Sequence, residues 1–353
     1  MKIAQVSPLY ESVPPKLYGG TERVVYNITE ELVAQGHEVT LFASGDSVTT
    51  ARLVSPCRNA LRLDKNCIDP LANHFAMMEM VEKESRNFDI IHSHIDYMYY
   101  PIIKRSKVPH ITTLHGRLDI PELQPLYKEF SDIQLISISN SQRLPLSNVN
   151  WKGTIYHGLP LDLFRFFPEM GNYLAFVGRV SPEKRVDRVI EIAIKSNIPL
   201  KIAAKIDKVD KDYYEESIKG LLDHPLVEFL GEIGEKEKED LLGNAMGFLY
   251  PIDWPEPFGL GMIEAMACGT PVIAFNRGSV PEVIDEGLTG FVVENIDEAV
   301  EAVKNLSLIN RAECRKIFEK RFSAQRMVND YLNIYKSLLM SPKMEKPQRD
   351  LIY

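Results

Sequence analysis

Two glutamates, Glu256 and Glu264, are the residues of this chain whose spacing first indicates chemistry. A helix is predicted from roughly Gly259 to Cys268, and Gly269 lies where a glycine would end it. Glu256 therefore precedes the helix, and Glu264 lies about 12 Å further along at 1.5 Å per residue. The helix is apolar on nearly every side, so the Glu264 carboxylate needs a partner.

The start of this helix offers an anion site between the two carboxylates. The backbone N–H groups there belong to Phe258, Gly259 and Leu260. Such groups attract negative charge, and a glycine lets a ligand approach the backbone. Carboxylates accept hydrogen bonds from hydroxyls, so this order of groups suits a sugar joined to a nucleoside through a diphosphate. The alternative is two ordinary charges at a helix start and on its exposed face.

Two basic residues, Arg179 and Lys184, follow a strand predicted over 173–177 and lie five positions apart in one loop. They could converge on a single diphosphate, because arginine offers a planar fork and lysine a point charge. Two solvated surface charges are the alternative interpretation.

Histidines follow two other predicted strands. His115 comes directly after a strand predicted from His110 to Leu114, so we expect it to face a cleft. A structural histidine with satisfied hydrogen bonds is the alternative. His92 and His94 alternate along the chain and therefore share one side of it. No carboxylate at a suitable spacing accompanies them, and we predict no metal site.

The pair Gly19-Gly20 precedes a helix that Thr21 can cap. Such a pair can cup a phosphate or simply form a turn. The loop lacks the G-x-G-x-x-G pattern, which argues against dinucleotide binding and a Rossmann oxidoreductase.

The composition is that of a globular enzyme. Its 353 residues are 45% hydrophobic and 25% charged, and the net charge of −8 argues against nucleic acid as a partner. The four cysteines show no metal-ligand spacing and suggest reduced thiols. The chain enters a strand directly after Met1-Lys2, and no stretch is long and apolar enough for a membrane span. We therefore expect a cytoplasmic protein, with peripheral membrane contact left open.

Strands and helices alternate in two successive series, which predicts an α/β protein with two Rossmann-like, doubly wound domains. The first strands are predicted over 3–6, 39–42, 88–92, 110–114, 133–138 and 154–158, and the second over 173–177, 200–204, 227–230, 248–250, 272–275 and 291–293. Helices are predicted near 21–35, 70–86, 97–104, 186–196, 212–222, 235–242, 259–268, 280–285, 298–305, 311–320 and 324–339. We divide the chain into domains 1–165 and 166–325, a helix over 326–340 that could cross back to the first domain, and a loose tail over 341–353.

Three segments resemble retaining family-4 glycosyltransferases of the GT-B fold (glycosyl transferases group 1). In that family two glutamates flank seven residues and run into Ala-Met-Ala-x-Gly-x-Pro-Val, as they do here from 256 to 272. The loop at 178–185 is similar to the family's Gly-Arg-x-x-x-x-Lys-Gly, except that Arg185 replaces the final glycine, and no role is assigned to it. Residues 14–20 are similar to the Pro-Pro-x-x-Tyr-Gly-Gly opening of one branch, and the run at 36–41 also fits.

This resemblance implies two domains facing across a cleft, with the acceptor on the first and a nucleotide sugar on the second. A hexosyl group of a UDP- or GDP-sugar would move with retention to an unidentified acceptor (a glycan, a lipid-linked or a small molecule), as in cell-envelope polysaccharide synthesis. No cofactor or metal is implied. The implied catalytic residues are His115, Glu256, Arg179 and Lys184. The implied donor-binding residues are Gly19, Gly20, Arg179, Lys184, Phe258, Gly259, Leu260 and Glu264.

Within this picture Glu256 would contact sugar hydroxyls and Glu264 the ribose, with His115 near the donor sugar. Two other hypotheses stay open: a non-catalytic nucleotide-sugar binding protein, and another GT-B enzyme such as a sugar-nucleotide epimerase or a phosphorylase. The sugar, the base, the acceptor and the oligomeric state are not predicted.

Overall fold

Two parallel β-sheets organise the computed structural model, which describes residues 1–16 and 19–340. The first sheet has the order β3-β2-β1-β4-β5-β6-β7. Its strands are β1 (Lys2–Val6), β2 (Glu38–Phe42), β3 (Arg52–Val54), β4 (Ile90–Ser93), β5 (His110–Thr113), β6 (Gln134–Ser137) and β7 (Asn150–Thr154). The reversal of strand order between β1 and β4 opens a crevice at the carboxyl ends of these strands.

The second sheet has the order β10-β9-β8-β11-β12-β13, which repeats the same winding. Its strands are β8 (Leu174–Arg179), β9 (Leu200–Lys205), β10 (Val227–Gly231), β11 (Gly247–Tyr250), β12 (Val272–Phe275) and β13 (Gly290–Val293). Here the order reverses between β8 and β11. The prediction of two doubly wound α/β sheets is therefore confirmed.

Helices connect the strands. They are α1 (Gly20–Ala34), α2 (Pro70–Glu84), α3 (Tyr100–Ile103), α4 (Leu123–Glu129), α5 (Asn140–Arg143), α6 (Val186–Ser196), α7 (Lys211–Tyr213), α8 (Glu235–Gly243), α9 (Leu260–Ala267), α10 (Val280–Val283), α11 (Ile296–Asn305), α12 (Arg311–Arg321) and α13 (Ala324–Met340). The tail expected over 341–353, and Leu17 and Tyr18 of the predicted Pro-Pro-x-x-Tyr-Gly-Gly segment, lie outside the described residues.

Each sheet has a hydrophobic core on both faces, because neighbouring strand residues point to opposite sides. In the first sheet Ile3 packs with α1 and α13, whereas Ala4 packs on the α2 side. In the second sheet Leu174 packs with α6 and α11, whereas Ala175 packs with α8, α9 and α12. Parallel strands buried on both faces explain why the sequence shows short, continuous apolar runs rather than alternation.

The last helix, α13, packs on the first sheet beside α1. The chain therefore passes between the two sheets twice, once before β8 and once before α13. The two passages touch: Leu159 N–H donates to Phe322 O (2.9 Å), and Ala324 N–H donates to Leu159 O (2.8 Å). Gly158 fits here because a Cβ at this position would lie 2.3 Å from Ser323 O.

Three predicted elements differ from the structure. The last strand of the first sheet is Asn150–Thr154, not 154–158; this edge strand is partly exposed and so lacks an apolar run. Residues 97–104 do not form one α-helix, because the 3₁₀ turn Asp96–Tyr99 precedes the short α3, which ends at Ile103. The helix predicted over 212–222 is divided into α7, a π-helical turn and a 3₁₀ turn. Strand β3 and helices α4 and α5 were not predicted.

Candidate active site

The Glu256 carboxylate is 8% exposed and lies in the loop between β11 and α9. Its Oε2 forms an ion pair with Lys184 Nζ. The same oxygen accepts hydrogen bonds from the Tyr250 hydroxyl (2.7 Å) and the Trp254 indole N–H (3.0 Å). Lys184 Nζ also lies 5.3 and 5.1 Å from the centres of the Tyr250 and Trp254 rings. The loop after β8 and the loop after β11 therefore meet at this one pair of charges.

Helix α9 begins at Leu260, one residue later than predicted, and Gly259 is its N-cap. Gly259 has φ +84°, and a Cβ there would lie 2.7 Å from Met262 Cε and 3.1 Å from the Tyr250 hydroxyl. Only glycine takes this conformation at low cost. The first N–H groups of α9 lie between the two carboxylates in the chain, and a helix start of this kind favours an anion.

Gly278 and Ser279 pack against the backbone of the loop that carries Glu256, a contact that sequence analysis did not predict. A Cβ on Gly278 would come within 2.4 Å of the Glu256 backbone, so the two segments are in direct contact. Ser279 N–H donates to Glu256 O (3.0 Å), and its hydroxyl donates to Phe258 O (2.8 Å). These bonds fix the turn that carries both the carboxylate and the start of α9.

The second carboxylate, Glu264, is 7% exposed within α9. Its partner is Lys238 of α8, whose Nζ donates to Glu264 Oε1 at 2.5 Å. The partner that the apolar setting demands is thus supplied by a neighbouring helix. Since that partner is 26 residues away, the sequence pattern around α9 gave no sign of it.

Arg179 lies at the carboxyl end of β8 among acidic side chains. Its guanidinium forms an ion pair with Glu183, and lies 3.3 Å from Asp210 Oδ2 and 3.9 Å from Asp207 Oδ2. Burial raises the pKa of Asp210, and the charge of Arg179 opposes this effect. The proposed convergence of Arg179 and Lys184 on one diphosphate would require Arg179 to exchange these carboxylates for phosphate oxygens.

The histidine predicted at the cleft, His115, belongs to a cluster of four with His92, His94 and His157. His94 Nε2 donates to Gln5 Oε1 (2.8 Å), so the neutral ring accepts at Nδ1 from His115 Nε2 (2.9 Å). This arrangement leaves no proton on His115 Nδ1, which is buried and has no hydrogen-bond partner among the described residues.

The remaining contacts of the cluster join it to both halves of the molecule. The His115 ring stacks on His157 with 5.3 Å between centroids, and His157 meets the ring of Phe258 edge-on at 4.8 Å. His92 bonds to the Tyr335 hydroxyl of α13 (2.6 Å) and to Thr113 Oγ1 (2.8 Å). His157 is the member that sequence analysis missed, because it follows no predicted strand end.

The histidine cluster is electrically neutral. Burial lowers the pKa of His115 to about 3 and holds the pKa values of His92, His94 and His157 well below their usual range. Burial also raises the pKa of the nearby Asp96 carboxyl to about 6, although the His115 backbone N–H partly offsets this. Asp96 is a further group that sequence analysis did not single out.

The Gly19-Gly20 pair lies at the N-terminus of α1, and a Cβ on Gly20 would lie 3.7 Å from Leu260 Cδ1. The glycine loop of the first sheet therefore faces the start of α9. Nearby, Arg23 of α1 and Glu235 of α8 form an ion pair at 2.6 Å across the cleft.

A cavity of about 70 Å³ opens at this end of the cleft. Its walls are the carboxyl ends of β8 and β9, the loop over 232–235, Lys238, and Lys16 and Arg23 of the first domain. Lys238 thus lines this cavity and also forms the ion pair with Glu264.

Among residues 1–16 and 19–340, no group of three or more His, Cys, Asp or Glu side chains could hold a metal ion. His92 and His94 do share one side, with ring centroids 4.0 Å apart, but they bond to other side chains. A search of the same residues for a helix of sufficient length and hydropathy to span a membrane found none.

Comparison with known proteins gives the family. Residues 164–322 match Glycosyl transferases group 1, and residues 18–148 match Glycosyltransferase Family 4. An uncharacterised glycosyltransferase of Methanocaldococcus jannaschii is 27% identical over 307 residues, covering 81% of this chain and 82% of that protein.

Solved structures share the fold at low identity. Sucrose-phosphate synthase of Thermosynechococcus elongatus has a TM-score of 0.75 at 19% identity, covering 96% of this chain and 98% of that one. The Anabaena protein HepE, in complex with UDP and glucose, has a TM-score of 0.73 at 17% identity, covering 96% and 100%. The predicted fold and family are therefore confirmed: this chain is a family-4 glycosyltransferase of the GT-B fold, a member of glycosyl transferases group 1.

Proposed function

We propose that this glycosyltransferase moves a hexosyl group, with retention of configuration, from a UDP- or GDP-sugar to an acceptor. The observation that carries the proposal is the pair of buried ion pairs, Lys184–Glu256 and Lys238–Glu264, on either side of the start of α9. In each pair the carboxylate can accept hydrogen bonds from ligand hydroxyls. The paired lysine offsets the negative charge of that carboxylate, so a diphosphate can lie between the two pairs.

In the proposed complex the diphosphate lies at the first N–H groups of α9, with Lys184 and Arg179 as its cations. Glu264 accepts hydrogen bonds from the ribose, and the base enters the cavity at residues 232–235. Glu256 accepts from the sugar hydroxyls. Phe258, Gly259 and Leu260 supply backbone contacts, Gly19 and Gly20 cover the phosphates from the first domain, and His115 Nδ1 accepts a hydrogen bond on the sugar side.

The reaction we propose needs no protein nucleophile. The bond from the sugar C1 to the phosphate oxygen breaks, and the acceptor oxygen bonds to C1 on the same face. The acceptor's proton passes to the departing phosphate oxygen. Lys184, Arg179 and the end of α9 stabilise the charge that develops on the diphosphate, which is the main contribution expected of the protein.

We also propose the domain division 1–165 and 166–325, with 326–340 packed on the first domain, and a cytoplasmic location. The two family matches, residues 18–148 and 164–322, support a division close to this boundary. All four cysteines are free thiols, and Cys268 and Cys314 are buried, which fits a reducing compartment.

The first experiment is a thermal-shift panel of UDP, GDP, ADP and their common sugar conjugates, with and without Mg²⁺. One nucleotide series should raise the Tm selectively and equally in both conditions. Nucleotide release from the matching sugar conjugate, followed by NMR of the anomeric proton of the product, then tests transfer and its stereochemistry. Binding without release or transfer would favour the non-catalytic binding protein, and inversion at C1 would contradict the mechanism.

A further inference from the structure

A cavity of about 590 Å³ opens beside the Lys184–Glu256 pair. It is lined by Arg117, Pro182, Glu183, Arg185, Asp187, Tyr213, Ser217, Asp253, Trp254 and Pro255. Arg117 belongs to the first domain, two residues after His115. The other nine belong to the second domain, and several adjoin the proposed catalytic residues in the chain. The cavity is therefore formed where the two domains meet.

The position of the cavity assigns it to one end of the donor. The small cavity next to Lys238 and Glu264 lies at the proposed nucleoside end, whereas the large cavity begins at Trp254, whose indole N–H bonds to Glu256. Glu256 is the proposed sugar contact. An acceptor has to approach the sugar rather than the nucleoside, and this cavity is the open space next to the sugar contact.

The lining chemistry selects among acceptor classes. None of the ten lining residues is Val, Leu, Ile, Met or Phe, and the apolar groups are two prolines and two aromatic rings, so the cavity lacks the aliphatic side chains that would pack along an acyl or prenyl chain. Both arginines are already matched by carboxylates: Arg117 forms two hydrogen bonds with Asp119 (both 2.7 Å), and Arg185 bonds to Asp187 and Asp253. Because both arginines are paired with carboxylates, the cavity does not need an anionic ligand to balance their charge.

The same residues suit a neutral ligand rich in hydroxyls. Carboxylates accept from hydroxyls and guanidinium groups donate to them. Two rings in the wall are fixed by hydrogen bonds, the Trp254 indole to Glu256 and the Tyr213 hydroxyl to Asp187 (3.2 Å). Rings held in this way offer an apolar face with a polar edge, which matches the faces of a sugar ring.

Arg185, to which sequence analysis assigned no role, shapes this wall of the cavity. It adopts φ +53°, a conformation that residues other than glycine rarely take, and its four hydrogen bonds to the carboxylates of Asp187 and Asp253 hold it there. A charged residue therefore lies in this wall at a position whose backbone conformation would cost a glycine less free energy.

We infer that this cavity is the acceptor subsite and that it binds a neutral, hydroxyl-rich acceptor, the end of a glycan. The inference rests on the proposed function, because it takes Glu256 as the donor-sugar contact.

The test compares two tryptophan variants on one exposed turn. Ser217→Trp fills the cavity, whereas Glu216→Trp adds the same ring at an exposed neighbour that does not line it. The probes are the methyl glycosides of glucose, galactose, mannose and N-acetylglucosamine, added to protein with its identified donor. Nucleotide release without a glycoside serves as the acceptor-independent readout.

At least one methyl glycoside should accelerate nucleotide release saturably. Ser217→Trp should raise the KM for that glycoside about tenfold or more, the scale of lost polar contacts in a binding site. The donor KM and release without glycoside should stay within about twofold of wild type, the noise expected for a surface change. Glu216→Trp should change none of these.

Two results would overturn the inference while leaving the proposed function intact. One is donor binding and hydrolysis with no acceleration by any glycoside, particularly if a polyprenyl monophosphate in detergent accelerates release instead. The other is an unchanged glycoside KM in Ser217→Trp. Failure of donor binding itself would instead contradict the proposed function. Should Ser217→Trp not fold, Arg185→Gly is the second variant: its φ suits glycine, and it should raise the same KM with donor-only release retained.

Discussion

The two sheets have the same winding, yet their crevices differ in charge. At the carboxyl ends of the first sheet, His92, His94 and His115 bond to one another and to neutral groups. At the carboxyl ends of the second sheet, ion pairs such as Lys184–Glu256 dominate. Identical topology therefore places a neutral histidine cluster opposite a crevice rich in ion pairs.

This difference explains how one cleft can bind a ligand that has a charged diphosphate and a neutral sugar. A diphosphate needs cations and backbone N–H groups, which the second sheet supplies through α9 and the loop at 178–185. A sugar needs oriented donors and acceptors without net charge. If the comparison is correct, damage to the charged side should reduce chemistry and donor binding, and damage to the interior contacts behind His115 on the neutral side should reduce mainly stability.

The largest effect is expected from Lys184→Ala. The change removes a cation from the leaving diphosphate and leaves the buried Glu256 carboxylate with only the neutral donors Tyr250 and Trp254. Turnover should fall about 10²- to 10³-fold, as for loss of one preorganised stabilising group. Steady-state nucleotide release measures it, with Lys195→Ala on the outer part of α6 as the control. A loss below threefold would remove Lys184 from the proposed mechanism.

A smaller effect is expected from Glu264→Gln. The variant keeps the shape but removes the charge that Lys238 faces, together with the proposed ribose acceptor. The donor Kd should rise about 10- to 100-fold, the scale of a lost hydrogen bond to a charged group. Titration calorimetry with the identified nucleotide is the measurement, and Glu216→Gln is the exposed control. An unchanged Kd would disconnect this glutamate from the donor.

On the neutral side, Tyr335→Phe removes the hydroxyl that meets His92 Nδ1 at 2.6 Å inside the first domain. A buried nitrogen left without a partner should cost about 1–3 kcal/mol in the free energy of unfolding. Urea unfolding gives that number. Nucleotide release by the folded variant should stay within about threefold of wild type, the scale of an indirect effect, and a loss as large as that of Lys184→Ala would contradict the comparison.

The stability of the fold should also depend on pH. The four clustered histidines have lowered pKa values in the folded state, so below pH 6.5 the unfolded chain takes up protons that the folded chain does not. Stability should therefore fall as the pH drops from about 6.5 towards 5, by up to about 1.4 kcal/mol per pH unit for each histidine. Asp96 acts in the opposite direction, because its raised pKa lets the folded state take up a proton near pH 6.

The histidine contribution can be isolated by His92→Gln. Urea unfolding at pH 7.5, 6.5, 6.0 and 5.5 should show a shallower slope for the variant than for wild type below pH 6.5. Parallel slopes would mean that the pKa of His92 is the same in the folded and unfolded chains, and that folding does not hold this ring neutral.

The sequence predicted most of the fold because buried parallel strands and amphipathic helices leave local patterns. Helix α6 was predicted with its observed bounds, Val186–Ser196. Elements without such patterns were missed or misplaced, such as the partly exposed edge strand β7 and the short α5. The candidate site followed the same rule: Glu256, Glu264 and Gly259 belong to one local motif, whereas the partner lysine of Glu264 comes from another helix.

Contacts between distant segments account for the rest. Nothing near Gly278 in the sequence indicates that it packs against the Glu256 backbone, or that His157 stacks on His115. These relations arise only once the second sheet is formed and the two domains have docked. Such contacts could be predicted from a single sequence only if the fold were already known.

The double passage between the domains has a mechanical consequence. Because the linkers at 159 and 322–324 are joined by backbone hydrogen bonds, they behave as one hinge rather than two independent tethers. Twisting or sliding of one domain would break those bonds, whereas rotation about them would not. We therefore expect the cleft to open and close along a single arc, which returns the neutral and charged walls to the same register on every catalytic cycle.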